Sequence, residues 1–177
     1  MNTKIRLKIG LRSALKNKEF TKITINDICK AAMLSRPTFY HYYRDKYQLA
    51  NSIFDDLFDK TVTTLATSHK WQGSIDVFLT QFKQDCTFYS KIYKYTGQDS
   101  LFEHHSQRVY DFYKQLIEHT KHDKLSSEEK VNLDVYVKGA MTLIMDWNNE
   151  SYSTDVKTMV KRFQVTIPNV LRKYISN

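Results

Sequence analysis

Glycine and proline are scarce, with four Gly and two Pro in 177 residues. That argues against many tight turns and for long helices. No apolar run approaches the ~20 residues that a membrane span needs. The opening MNTKIRLKIG also lacks the apolar core of a signal peptide. A cytoplasmic protein with no membrane partner is expected. The two cysteines, Cys29 and Cys86, stand apart and form no CxxC pattern. Each reads as a small buried hydrophobe, and no disulfide is expected. Catalytic patterns are missing as well: no Gly-rich phosphate loop, no HExxH and no Ser/His/Asp order with an elbow motif. An enzyme reading rests on scattered carboxylates such as Asp146, so no enzyme and no cofactor is expected. His104-His105 and His119-x-x-His122 lack a third ligand at a fixed spacing. They read as surface histidines, and no metal site is expected.

What the chain has in abundance is positive charge, and all of the excess is in one place. Residues 1–50 carry 11 Lys/Arg against 3 acids, a net +8, whereas residues 51–177 carry 16 against 16, a net of zero. Polyanion binding accounts for this asymmetry; solubility alone would not confine it to one segment.

That basic segment has the punctuation of short helices. Residues 3–17 place Leu7, Leu11, Ala14 and Leu15 on one stripe, with Lys and Arg around it. Thr24 is a helix cap with Asp27 three residues on, and Ile25, Ile28, Cys29 and Ala32 follow on one face. Leu34 plugs the connection. Ser35 caps the next helix, and Pro37 sits in its first turn. Asp45 then caps a long helix over 46–68, roughly 34 Å at ~1.5 Å per residue, with Gln48 completing an Asp-x-x-Gln box. Phe20 and Ile23 turn inward to close a small core with Ile28, Leu34 and Phe39. Two short helices with a tight turn form a helix-turn-helix, whose second helix enters the DNA major groove. An ordinary core hairpin would have little use for the outward Arg36, Thr38, His41 and Tyr42.

Ser35-Arg36-Pro37-Thr38-Phe39-Tyr40-His41-Tyr42-Tyr43, followed by Lys46 and Leu49, resembles the recognition-helix signature of the tetracycline-repressor (TetR) family of bacterial transcription regulators. Thr24-Ile25-x-x-Ile28 and Ala32-x-Leu34-Ser35 resemble its preceding helix and turn. The motif covers residues 7–58. Two positions depart from it: Met33 stands where the family often has Gly in the turn, and Glu19 where it often has Gly before the aromatic. A Met at positive φ costs about 1 kcal/mol, so another turn conformation is expected. The resemblance implies DNA contacts from Asn26, Ser35, Arg36, Thr38, Tyr40, His41 and Tyr42. It also implies a phosphate held by Lys46 at the N-terminus of the long helix.

Beyond residue 70 the resemblance is one of length and helical character. The expected fold is all-α, with a helix-turn-helix DNA-binding domain over 1–68 and a larger helical domain over 69–177 that binds effector and dimerises. The polar break His69–Gly73 marks the boundary, and Thr96–Gln98 is a second break. Ser74 is expected to cap the fifth helix. Ser126 to Glu129 is a capping box opening a helix over 127–149, and a last helix starts near Thr154 until Pro168 kinks or ends it.

The segment from Phe78 to Tyr113 is rich in aromatics, whose hydroxyls need partners in a dry core. Phe82, Tyr89, Tyr93, Tyr110 and Tyr113 are therefore candidates for a small apolar or aromatic effector, against the plain-core alternative. Leu143, Trp147, Met159 and Phe163 are candidates for a homodimer interface. The function expected is a repressor acting at a pseudo-palindromic double-stranded operator and released by a small molecule. The alternatives are an activator, a regulator controlled by a partner protein, and, in another class, a helical enzyme.

Overall fold

The computed structural model describes residues 2–68, 71–95 and 100–175, the side chains of 62–68 excepted. Among these residues there are ten α-helices and no strand. They are α1 (Thr3–Asn17), α2 (Ile25–Ala32), α3 (Arg36–Tyr42), α4 (Lys46–Ser68), α5 (Trp71–Gln84), α6 (Cys86–Ile92), α7 (Leu101–Lys121), α8 (Ser127–Asn149), α9 (Val156–Thr166) and α10 (Asn169–Ile175). A 3₁₀ turn, Phe20–Lys22, lies between α1 and α2.

Local chemistry sets the helix starts. Thr24 accepts from the Asp27 N–H while the Asp27 carboxylate accepts from the Thr24 N–H, a reciprocal capping box. The Lys18 ammonium and these cap bonds hold the Asp27 pKa down to about 2. Ser126 and Glu129 repeat the box at α8. Asp45 accepts from the Gln48 N–H at 2.8 Å, but Gln48 reaches back to the Arg44 N–H, one residue short of the expected partner. One start differs from expectation. Helix α5 begins at Trp71, not at Ser74, which lies buried inside it. The Trp71 indole donates to the Tyr113 hydroxyl at 2.9 Å, and this contact ties the start of α5 to α7. Helix α9 ends before Pro168, as expected, and α10 follows as a separate helix. Of the expected break at 69–73, Trp71 to Gly73 form the first turn of α5, while 69–70 and the break at 96–98 lie outside the described residues.

Helices α1, α2 and α3 close the N-terminal core on Leu7, Leu11, Leu15, Phe20, Ile28 and Phe39, all buried. Gly10 permits the close crossing of α1 and α2: a Cβ there would lie 2.7 Å from the Ile28 carbonyl oxygen. Helix α4 runs out of this head. Helices α5 and α7 pack on α4, α9 packs on α5, and α8 and α10 pack on α7. Head and body are tied by charge. Arg12 of α1 pairs with Asp85 just before α6, and Lys91 of α6 donates to the Leu15 and Lys16 carbonyls at the end of α1. Between α4 and α7, His104 meets Asp55 at 2.9 Å and Arg108 pairs with Asp59.

Candidate nucleic-acid interface

Helix α3 is short and firmly seated. Phe39 is fully buried, and Tyr43 just beyond the helix is buried with its hydroxyl 3.3 Å from Ser52 Oγ. With those two rings inward, Arg36, Tyr40, His41 and Tyr42 face solvent. Tyr40 is 50% exposed, high for an aromatic residue. The His41 ring meets Tyr42 edge-on at 4.7 Å, and the Lys4 ammonium stands 6.0 Å from the Tyr42 ring centre. The Ser35 and Thr38 hydroxyls bond to each other at 2.7 Å, and Ser35 Oγ also accepts the Thr38 N–H. Asn26 is exposed in the first turn of α2. The outward face thus offers a guanidinium, an imidazole, phenols, hydroxyls and an amide, the groups that read base edges and phosphates.

Three features of the turn and the junction differ from expectation. Met33 does adopt the left-handed conformation, φ 54° and ψ 48°. Its strain is offset by a helix-end pattern in which the Leu34 N–H reaches the Cys29 carbonyl at 2.9 Å. Arg6 adds bonds to the Ala32 and Met33 carbonyls at 2.8 and 2.7 Å. Second, Lys46, expected at a phosphate, is directed inward. Its ammonium donates to the carbonyls of Phe20, Thr21 and Ile23 at 2.8, 2.9 and 2.8 Å, which accounts for all three of its protons. Burial lowers its pKa. Third, Arg6 itself carries no sequence signal, since its partners are backbone groups 26 and 27 residues away.

The expected effector residues do not form one site. Phe82 and Tyr89 stack at 3.8 Å, Tyr93 follows at 6.0 Å from Tyr89, and all three are packed core. Their hydroxyl problem is solved locally. The Tyr93 hydroxyl shares a 2.5 Å hydrogen bond with Nδ1 of His105. His105 is therefore no surface histidine: it is wholly buried, its ring stacked 3.6 Å from Phe54 of α4, and its Nε2 has no partner among the described residues. Burial first, then His104, holds its pKa well below 6.5. Tyr113 borders a different space, a cavity of about 50 Å³ between Phe58, Phe78, Val109, Tyr136 and Met141. Burial pushes the Tyr113 hydroxyl up to about 12. Tyr110 lies in a surface groove between α7 and α8.

The expected dimer residues also moved. Trp147 is 1% exposed within the single chain, packed edge-on against Tyr152 with its indole donating to the Thr154 carbonyl at 2.8 Å. Met159 and Phe163 are buried too, and Leu143 is partly buried. Core packing of α8 and α9 onto α5 and α7 takes these side chains. On α8 and α9 the large apolar groups left exposed are Val131, Val135 and Val165, at 64%, 65% and 73%.

The family model of bacterial regulatory proteins, tetR family, matches residues 12–53. A second model, TetR_C_8, described as a transcriptional regulator C-terminal region, matches residues 69–169, more than half of the chain. The chain belongs to the TetR family. It is a DNA-binding transcriptional regulator, and proteins of this family are regulators, not enzymes. No curated protein matches the sequence. Among solved structures, the dihydroxyacetone kinase operon activator DhaS is similar, with TM-score 0.64 and 17% identity over 98% of each chain. Thermus thermophilus FadR, a TetR family transcriptional repressor in complex with lauroyl-CoA, is similar at TM-score 0.61 and 14% identity, over 93% of this chain and 92% of that one. At these identities the likeness is one of fold. No helix among the described residues is long and apolar enough to cross a membrane.

Proposed function

We propose that this TetR-family regulator is a cytoplasmic homodimer that binds a pseudo-palindromic operator through α3 and is released by a small apolar ligand. The observation that carries it is the outward face of α3, Arg36, Tyr40, His41 and Tyr42, on a head that holds the whole net charge of +8. Residues 1–68 are the DNA-binding domain and 69–177 the effector-binding and dimerisation domain. Asn26, Ser35 and Thr38 sit beside that face as further DNA contacts. Lys46 is a positioning residue, holding the Phe20–Lys22 turn against α4. The chain works without cofactor, metal or enzymatic turnover.

The effector site is the apolar cavity bordered by Tyr113. Its about 50 Å³ is far below the ~300–1,000 Å³ of drug-sized pockets. An effector larger than a few atoms must push α4, α5, α7 and α8 apart, and α4 carries that movement to the head. The dimer face is the outer side of α8 and α9. Val131, Val135 and Gly139 succeed one another at every fourth residue, and a Cβ added at Gly139 would meet nothing within 4 Å. A second helix can lie close against such a stripe.

Footprinting on the DNA flanking its own gene tests the reading, with protection of two half-sites related by a two-fold axis expected. Protection of a single half-site, or none, contradicts it. DhaS is an activator and FadR a repressor, so transcription of the footprinted promoter with and without the protein decides the sign.

A further inference from the structure

A second concentration of positive charge lies away from α3. Where the end of α1 and the Phe20–Lys22 turn meet α6, a pocket of about 430 Å³ opens. Among the described residues its rim carries four lysines, Lys16, Lys18, Lys91 and Lys94, against one acid, Glu19. Glu19 is already paired with Lys22 at 3.2 Å. Lys18 is paired with Asp27 at 2.7 Å. Lys91 covers the carbonyls at the end of α1, where a helix carries partial negative charge. Lys16 and Lys94 have no acidic partner among the described residues. One wall is the Tyr95 ring, whose own neighbours are Phe20 at 6.2 Å and Tyr47 at 5.0 Å.

A concave site with uncompensated charge of one sign focuses potential and concentrates counter-ions. Here the charge is set against an aromatic wall, which adds apolar contact that a hydrated inorganic ion cannot use. We propose that this pocket binds a small organic anion. A phosphate or carboxylate group is held by Lys16, Lys91 and Lys94, and an aromatic or other apolar body lies against Tyr95. The site is separate from the cavity at Tyr113. Two of its lysines belong to the head, one to α6 and one to the turn that follows α6, so an occupant favours the head–body arrangement described above over any that separates them.

A DNA phosphate offers the lysines the same headgroup chemistry, and the two sources are separated by working without DNA. The experiment is calorimetric titration of the full chain with phenyl phosphate, then with inorganic phosphate, at constant ionic strength. One saturable site per chain is expected, with phenyl phosphate the tighter of the two. Combining Lys16→Ala with Lys94→Ala weakens it at least about tenfold with the melting temperature unchanged, since neither side chain is part of the core. Three results overturn the proposal: no saturable heat from phenyl phosphate, equal affinity in parent and double variant, or inorganic phosphate binding as tightly as phenyl phosphate. The first of these assigns the lysines to DNA or solvent.

Discussion

The chain holds two aromatic-rich regions with opposite fates. On α3, Tyr40, His41 and Tyr42 point outward. Across α5 to α7, Phe82, Tyr89, Tyr93 and His105 are sealed inside. Residue type does not separate them; the partners do. In the body polar tips find neighbours within the fold, as Tyr93 does in His105 and Tyr113 in Trp71. On α3 the inward positions are already taken by Phe39 and Tyr43, and the remaining rings are left to whatever lies outside. Aromatic groups held open on a basic head are available to a ligand, whereas those paired in the body hold the fold.

Substitutions that treat the two regions alike sharpen this contrast. The largest effect is expected in the buried cluster. Phe82→Ala should cost about 3–5 kcal/mol of unfolding free energy, the usual range for a buried Phe. Urea unfolding measures it, and a loss under ~1 kcal/mol would mean the stack is loosely packed.

Next comes the junction between the regions. Lys46→Ala removes three hydrogen bonds to carbonyls and should cost about 1–3 kcal/mol. Operator affinity should keep its salt dependence; a slope flatter by about one unit would instead return Lys46 to a phosphate.

Acid should act on the buried region through His105. Its folded pKa lies below 6.5, so the unfolded chain takes up a proton first as the pH falls. Stability is therefore unaffected above about pH 6.5 and is lost below it, by at most ~1.4 kcal/mol per pH unit, until the folded pKa is reached. Unfolding measured from about pH 7.5 to about pH 5.5 should show a steeper loss in the parent than in His105→Gln. Equal slopes would place the imidazole in contact with solvent.

The smallest change in stability is expected at an outward apolar position. Val135→Glu should alter unfolding by no more than ~0.5 kcal/mol yet convert dimer to monomer in sedimentation. A dimer that survives the change moves the interface off α8.

Much of the fold was legible because its signals are local. The caps at Thr24, Ser35 and Ser126 depend on residues three positions away, and those helices begin where the spacing puts them. The outward side of α3 was legible for a similar reason, since Phe39 and Tyr43 mark the inward side. What failed depends on distant contacts. Lys46 and Arg6 bind carbonyls more than twenty residues away, and carbonyls leave no trace in side-chain pattern. Trp147 and Phe163 have the periodicity of a buried stripe, but periodicity does not say whether the covering helix is the chain's own or a partner's. His105 reads as surface until α4 brings Phe54 against it. Gly10 carried a readable signal, a glycine amid a helical stripe, which marks a close helix crossing.

In the proposed function the basic head grips DNA by its phosphates while α3 reads the bases. The most direct test is operator affinity as a function of salt, for the parent and for His41→Ala. If six or more phosphates are engaged, parent affinity falls by about 10³ or more between ~50 and ~200 mM salt. His41→Ala should keep that slope while losing about 1–3 kcal/mol of discrimination between the operator and a base-changed version of it. Parent affinity that stays flat over this salt range, or discrimination undiminished in His41→Ala, would contradict the account.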